Sequence, residues 1–230
     1  MSVPYWRHSP SPRHLHTDIL IVGAGVCGLS AAHELAARNI PFLIAERHTL
    51  GSGASTRNAG FLMRGMAENY ALAVRDHGRH LARTMWRWTE DNLHIHLSRG
   101  IATLPSYRPT PSCLMALEPV ELEELRQSLN LLQADGFDAL WLNSHHDSAW
   151  PAANPLGALV NPHDAAVNPW ELISHLARPL APFILEHHHI IALEPSSHSA
   201  AAVAARTPDT LIHAQRILLC TNAYAPLLLP

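Results

Sequence analysis

The sequence is short of cysteine, of charge and of long hydrophobic runs, and each shortage removes a class of protein. Its three cysteines (Cys27, Cys113 and Cys220) are odd in number and far apart, which excludes a disulfide framework. No apolar stretch approaches the ~20 residues that a membrane-spanning helix needs, so no transmembrane segment is expected. Lys and Arg form no run and the formal charge is −3, so neither nucleic acid nor an anionic membrane is an expected partner. The first residues, Met1 to Thr17, hold no apolar stretch of the signal-peptide kind, and the expected setting is reducing and cytoplasmic. Charged residues are 15% of the chain against 47% hydrophobic, so a sizeable core can be buried and disorder is not expected.

Histidine is plentiful, with 18 residues. His14 and His16, His94 and His96, His145 and His146, and His187 to His189 form clusters, but none joins cysteines at a zinc-site spacing and no H-E-x-x-H occurs. The expected reading is compositional bias, with no metal.

Residues 1–17 read as an irregular lead-in, because Pro4, Pro10 and Pro12 interrupt regular structure. Asp18–Val22 is a nearly all-apolar run before glycine, the pattern of a buried parallel strand. Val26 to Arg38 predicts a helix with Leu29, Ala32, Leu35 and Ala36 on one face, ending at a left-handed Asn39. Pro41 and a second strand, Phe42–Glu46, complete a β-α-β unit. A long helix is predicted from about His77 to Ser98. Leu81, Met85, Trp88 and Ile95 form its main apolar stripe, and Trp86, Leu93 and Leu97 a second. Ser112–Leu117 predicts a strand, and Pro119 opens a helix lined by Leu122, Leu125, Leu129 and Leu132 and ended by Gly136. Residues 141–155 read as a polar connection. After a short strand at Ala158–Val160, Asn168 caps a helix from Pro169 to about Ala177. Phe183–Glu186, His189–Leu193, Ala200–Arg206, Leu211–His213 and Arg216–Cys220 then predict successive short strands.

Gly23-Ala24-Gly25-Val26-Cys27-Gly28 lies between a predicted strand and a predicted helix, the context that a dinucleotide fingerprint requires. Its first glycine permits a tight turn, its second admits a pyrophosphate, and its third lets helix and strand pack closely. The helix N-terminus then offers N–H groups to the phosphates. Cys27, inside the turn, reads as a small filler. Glu46 ends the second strand where an acid binds the ribose hydroxyls, and its charge disfavours the 2′-phosphate of NADP. NAD and FAD share this fingerprint.

The run Gly51-Ser52-Gly53-Ala54-Ser55-Thr56-Arg57-Asn58-Ala59-Gly60 lets backbone lie close against a flat ligand. With DILIVGAGVCGLSAAHELA and LIAE, its GASTRNAG resembles the FAD-dependent amino-acid and amine oxidoreductases of the D-amino-acid oxidase superfamily, of the bacterial glycine, D-amino-acid and γ-glutamylputrescine type. Asn161-Pro162, Asn168-Pro169 and the late run Leu219-Cys220-Thr221-Asn222-Ala223 extend the resemblance over nearly the whole chain; residues 77–155 match loosely.

The resemblance implies an α/β fold: a Rossmann-like FAD-binding domain in two segments, 1–75 and 155–230, with part of an α+β substrate domain, 76–154, inserted between them. It implies non-covalent FAD, held by Gly23, Ala24, Gly25, Val26, Cys27, Gly28, Glu46 and Arg47 at the nucleotide end. Gly53, Ala54, Ser55, Thr56, Arg57, Asn58, Ala59 and Gly60 follow: Ser55 near the pyrophosphate or ribityl chain, and Thr56, Arg57 and Asn58 near the isoalloxazine. Ile190 would meet the adenine through its backbone, and Thr221 and Asn222 complete the set. Some relatives attach flavin covalently through a histidine at the position of Arg57, which is not expected here. The implied reaction oxidises a small amine or amino acid by hydride transfer from the amine-bearing carbon to flavin N5, giving an imine. No catalytic residue is assigned. Family members continue well past the strand that ends near Cys220, so the chain reads as an N-terminal portion, with a complementing C-terminal polypeptide as a conceivable partner. A non-catalytic FAD-binding fragment is the alternative, and an NAD-dependent dehydrogenase a third reading.

Overall fold

The computed structural model describes residues 12–143, 155–196, 198 and 200–228. The chain forms two compact units, Met1–Asn58 with Pro169–Pro230, and Ala59–Asn168. These boundaries fall at 58/59 and 168/169, where the sequence reading places them at 75/76 and 154/155.

The chain runs β1 (Arg13–Val22), α1 (Val26–Ala37), β2 (Phe42–Ala45), β3 (Phe61–Leu62), α2 (Tyr70–His77), α3 (Arg79–Ser98), β4 (Arg108–Pro109), β5 (Ser112–Ala116), α4 (Pro119–Ala134), β6 (Leu140–Asn143), β7 (Gly157–Asn161), β8 (Ala165–Ala166), α5 (Pro169–Ala177), β9 (Ile184–Leu185), β10 (Ala192–Pro195), β11 (Val203–Arg206) and β12 (Thr210–Leu219). The first unit is a six-stranded sheet in the order β10-β11-β12-β1-β2-β9. Strands β12, β1, β2 and β9 are parallel, and β10 and β11 add an antiparallel edge. It is a Rossmann-like α/β fold, as the sequence predicts.

β1 is longer than Asp18–Val22. It begins at Arg13, because its polar first half pairs with Thr210–Ala214 of β12. The two predicted strands Leu211–His213 and Arg216–Cys220 are accordingly one ten-residue strand, β12. The predicted strand at His189–Leu193 begins only at Ala192; before it, His187 takes a positive φ of 58°. Of the predicted apolar face of α1, Leu29 and Ala32 are buried and Ala36 is exposed. The buried Ile173 and Leu176 of α5 belong to a helix that packs on α1, where His33 Nε2 lies 2.9 Å from the Leu176 carbonyl. Each fully buried Leu or Ile contributes roughly 1.5–3 kcal/mol.

Asn39 ends α1 with φ 54°. Its N–H donates to Ala36 O at 3.0 Å and that of Ile40 to Leu35 O at 3.0 Å, a Schellman closure. Asn39→Val is therefore expected to cost about 1–2 kcal/mol, since a β-branched residue strains in this region, whereas Asn39→Gly holds or gains stability. Urea unfolding of both variants checks the contrast.

The second unit holds α2, α3 and α4 with two three-stranded sheets, β3-β8-β4 and β5-β7-β6. The strand predicted near Ala158–Val160 is the middle strand of the latter. The helix predicted over 77–98 is α3, and a shorter helix that the sequence reading leaves out, α2, precedes it and ends at Gly78, which takes φ 80°. The main stripe of α3 is corrected. Leu81, Trp88 and Ile95 are exposed, and α3 buries Ala82, Trp86, Glu90, Leu93 and His96 instead. Trp86 meets Tyr70 edge-on at 5.2 Å in a core with Leu125, Leu129, Leu132 and Phe137. The Tyr70 hydroxyl donates to Asp135 at 2.8 Å, and Arg79 holds the same carboxylate. Burial, then Asp135, pushes the Tyr70 phenol well above its ordinary range. For Asp135 burial works upward, but the hydrogen bonds from Arg79 and Tyr70 outweigh it and hold the carboxyl low. His145 and His146 lie outside the described residues.

Candidate FAD-binding site

The end of β1 fixes the site. Gly23 N–H donates to Ala45 O at 2.8 Å, and Cys220 N–H to Val22 O at 2.9 Å, so β1 is clamped on both sides where it turns. Gly23 has φ 106°, and a Cβ there would lie 2.7 Å from the Cys220 carbonyl oxygen. A Cβ on Gly28 would lie 2.0 Å from the Gly23 oxygen. The expected tight turn and close helix–strand approach are thus both present.

α1 starts on Gly25, whose side makes no capping bond, and carries no acid in its first turn. The first helical bond is Leu29 N–H to Gly25 O at 2.9 Å, so the N–H groups of Val26, Cys27 and Gly28 precede the ladder. Ser55 Oγ accepts the Val26 N–H at 3.0 Å, across 29 residues of sequence. The Ser55 hydroxyl therefore stands where an anion on the helix N-terminus would stand. Cys27 is exposed.

Glu46 follows β2. One carboxylate oxygen accepts Ala24 N–H at 3.0 Å and the other accepts His48 N–H at 3.0 Å. Each oxygen retains a lone pair, so the fixed carboxylate can still accept a hydroxyl. His188 N–H donates to Glu46 O at 2.8 Å, which draws the 187–191 segment alongside. Ile190 is buried in one cluster with Val22 and Ala45. The exposed Arg47 lies over the Tyr224 ring, 5.4 Å from its centroid.

The loop after Glu46 is held by its own bonds. Glu186 accepts Leu50 N–H at 2.6 Å, Thr56 donates to the Gly51 carbonyl, and Asn58 donates to Ser55 O at 3.0 Å. Ala54–Thr56 forms a single helical turn flanked by Gly53 and the exposed Arg57. Trp170 of α5 fills the space beside Gly51. Ala59 and Gly60 fall in the second unit, where the buried Gly60 accepts Val167 N–H at 2.9 Å.

Beyond β12, Asn222 takes φ 51° and Thr221 Oγ1 is buried without a hydrogen-bond partner. An orphaned hydroxyl one residue past the Gly23 contact is what a missing polar group would satisfy. Burial, then the nearby Cys27, pushes the Cys220 thiol up, so it stays neutral beside the turn. The structure thus brings Gly23, Ala24, Gly25, Val26, Gly28, Glu46, Ser55 and Thr221 into one neighbourhood. Sequence reasoning missed the fixing of Glu46 by Ala24 and His48, which depends on backbone direction, and the Ser55–Val26 bond, which no local spacing signals.

An α/β unit with this turn, acid and loop defines a flavin-binding class, and residues 18–230 match the sequence model of DAO, the FAD dependent oxidoreductases; the chain belongs to that family. FAD, not NAD, is the family's cofactor. Among relatives, the "Probable oxidoreductase OrdL" of Haemophilus influenzae is 24% identical over 228 residues, covering 93% of this chain and 50% of that protein. Glycine oxidase from Geobacillus kaustophilus has the same fold, with a TM-score of 0.71 at 22% identity over 93% of this chain and 57% of its own. L-proline dehydrogenase from P. horikoshii gives 0.69 at 18% identity over 93% and 55%. The chain spans about half the length of these relatives. No helix among the described residues is long and apolar enough to cross a membrane.

Proposed function

We propose that this chain holds the ADP portion of FAD non-covalently, and that the whole protein oxidises a small amine or amino acid. The observation that carries the reading is the Gly23–Gly28 turn with Glu46 and Ser55 already bonded to its N–H groups. The Cys27 and Gly28 N–H groups and the hydroxyl of Ser55, which Val26 N–H holds in place, would bind the pyrophosphate, with Thr221 Oγ1 as a further donor. Glu46 would accept the ribose hydroxyls, and the backbone at Ile190 would border the adenine. Arg47 lies beside this acid. Gly53, Ala54, Thr56, Arg57, Asn58, Ala59, Gly60 and Asn222 are assigned to the flavin-side portion of the cofactor on the family resemblance.

FAD, when bound, would supply the two-electron oxidation of the amine to an imine, as acceptor of the hydride from the amine-bearing carbon. This chain's part is to bind and orient; no side chain is assigned a proton-transfer role. The amine substrate class rests on the glycine and L-proline named for two structural relatives. Coverage of about half of each relative favours a second reading for the chain taken alone, an FAD-binding module that needs the rest of the family fold for turnover.

Purified chain should carry flavin absorbance, and anaerobic addition of glycine, proline or other small amines tests turnover. Bleaching supports oxidation; bound flavin that no amine reduces supports the module; absence of flavin overturns both. Glu46→Gln is expected to weaken FAD binding by about 10–100-fold, since it removes charge-assisted bonds worth ~1.5–3 kcal/mol, as a fluorescence titration would read.

A further inference from the structure

Four histidines gather on the first unit, at the opposite end of β1 from the flavin turn. β1 and β12 place His16 directly opposite His213, and His14, two residues back, shares the same side of its strand. His198, from the segment after β10, joins them. The His213 ring lies 4.9 Å from that of His16, 5.3 Å from that of His14 and 5.7 Å from that of His198. His16 and His198 are 4.5 Å apart. Of the four, only His213 is buried, and both of its nitrogens are engaged: Nε2 lies 3.0 Å from His14 Nδ1, and Nδ1 lies 2.9 Å from Ser196 Oγ.

Among the described residues no carboxylate is ion-paired or hydrogen-bonded to any of these four rings. Across the sheet the row continues from His213 to Ala204 on β11 and Glu194 on β10, and Glu194 is held by Arg206 through two bonds of 3.0 and 2.7 Å. Asp209, just before β12, is bonded to Thr207 and Thr210. Asp18, two residues beyond His16, meets Gln215. β2 pairs with β1 only over Ile19–Val22 and contributes no partner. Among the described residues no three His, Cys, Asp or Glu side chains are arranged to hold a metal ion.

We propose that His14, His16, His198 and His213 form an acid-sensitive latch, which ties Ser196 and His198 to the β1/β12 pair while the imidazoles are neutral and releases them as the imidazoles gain charge. A hydrogen bond between two imidazoles needs one of them to accept, and protonation of both leaves two donors face to face. Each further proton adds a like charge within 6 Å of a neighbouring ring, and no carboxylate among the described residues is paired with these rings.

The sign follows from burial. Burial first, then His16, His14 and His198, holds His213 below its ordinary value of 6.5. At His213 the folded chain therefore binds fewer protons than the unfolded chain in mildly acidic solution. The contribution to stability is complete above about pH 6.5 and is lost as pH falls through the folded value.

Urea unfolding of the full chain at pH 7.5 and 5.5 tests the latch. A proton held off His213 raises the unfolding constant by up to about tenfold between these pH values, given an unfolded histidine near 6.5. In His213→Gln, whose amide can still meet Ser196 and His14, that part of the dependence should vanish. His198→Gln removes one exposed facing charge, leaves the buried ring in place and should flatten the dependence part of the way; it serves if His213→Gln does not fold. A His198→Gln chain as acid-sensitive as the wild type, or a His213→Gln chain that keeps the full dependence, overturns the proposal.

Discussion

A Gly28→Val chain is expected to purify without flavin. The Cβ that Val adds would stand 2.0 Å from the Gly23 oxygen and 3.2 Å from Ile21 Cγ2. The first of these atoms is backbone, in a turn clamped by Ala45 on one side and Cys220 on the other. No rotamer change relieves a clash between Cβ and a carbonyl oxygen, so α1 must move off β1 or the turn must unwind. Either movement carries the Val26 and Ala24 N–H groups out of line with Ser55 and Glu46 respectively. Overpacking of an ordinary core costs ~1–3 kcal/mol, and a backbone clash lies at the top of that range. FAD affinity should fall at least about 100-fold, the equivalent of ~3 kcal/mol. Flavin absorbance per chain and a fluorescence titration read this directly, with circular dichroism to show that the chain still folds. Cys27→Ser, one residue earlier but exposed, should bind as the wild type does. A Gly28→Val chain that kept full flavin stoichiometry would sink the assignment of the turn.

The contrast between these neighbours shows what the sequence carries. Gly23, Gly28 and Asn39 were legible because each answers a local backbone demand, and local demands leave residue types at fixed spacing. Glu46 was legible for the same reason, one β-α-β unit downstream. The polar start of β1 was not, because Arg13, His14 and His16 lie on a strand end whose partner, β12, comes about 200 residues later. The buried stripe of α3 was misread for a related cause. Leu81, Trp88 and Ile95 look like its apolar face, yet they are exposed, while Glu90 and His96 are buried. Periodicity assumes that polar residues face water, and it fails where a charge is paired inside the protein. The Ser55–Val26 and Glu186–Leu50 bonds are invisible in the same way, since they join residues 29 and 136 positions apart.

The burial of Glu90 leads to the largest stability effect expected in the second unit. Arg64 is 5% exposed, and its guanidinium reaches Glu90 at 2.6 Å, the Asp138 carbonyl at 2.9 Å and Asp164 at 3.6 Å. Its own backbone N–H donates to Asp164 at 3.0 Å. Glu90 and Asp164 are 8% and 2% exposed. Arg87 reaches Glu90 at 2.9 Å from the surface side, but nothing else cationic among the described residues is paired with Asp164. Arg64→Met keeps most of the volume and removes the charge, leaving two carboxylates close together in the interior. Stranding a buried charge costs about 3–5 kcal/mol, far more than an exposed pair such as Arg38–Glu34, whose loss should cost under ~1 kcal/mol. Arg64→Lys should fall between, because one ammonium cannot reproduce the fork that spans both acids and a carbonyl. Adding Glu90→Gln and Asp164→Asn to Arg64→Met should recover part of the loss, since the triple variant buries no unpaired charge. Denaturant unfolding of the four chains decides it. A loss below about 1 kcal/mol for Arg64→Met, or no recovery in the triple variant, would show that packing rather than charge pairing holds α3 against this segment.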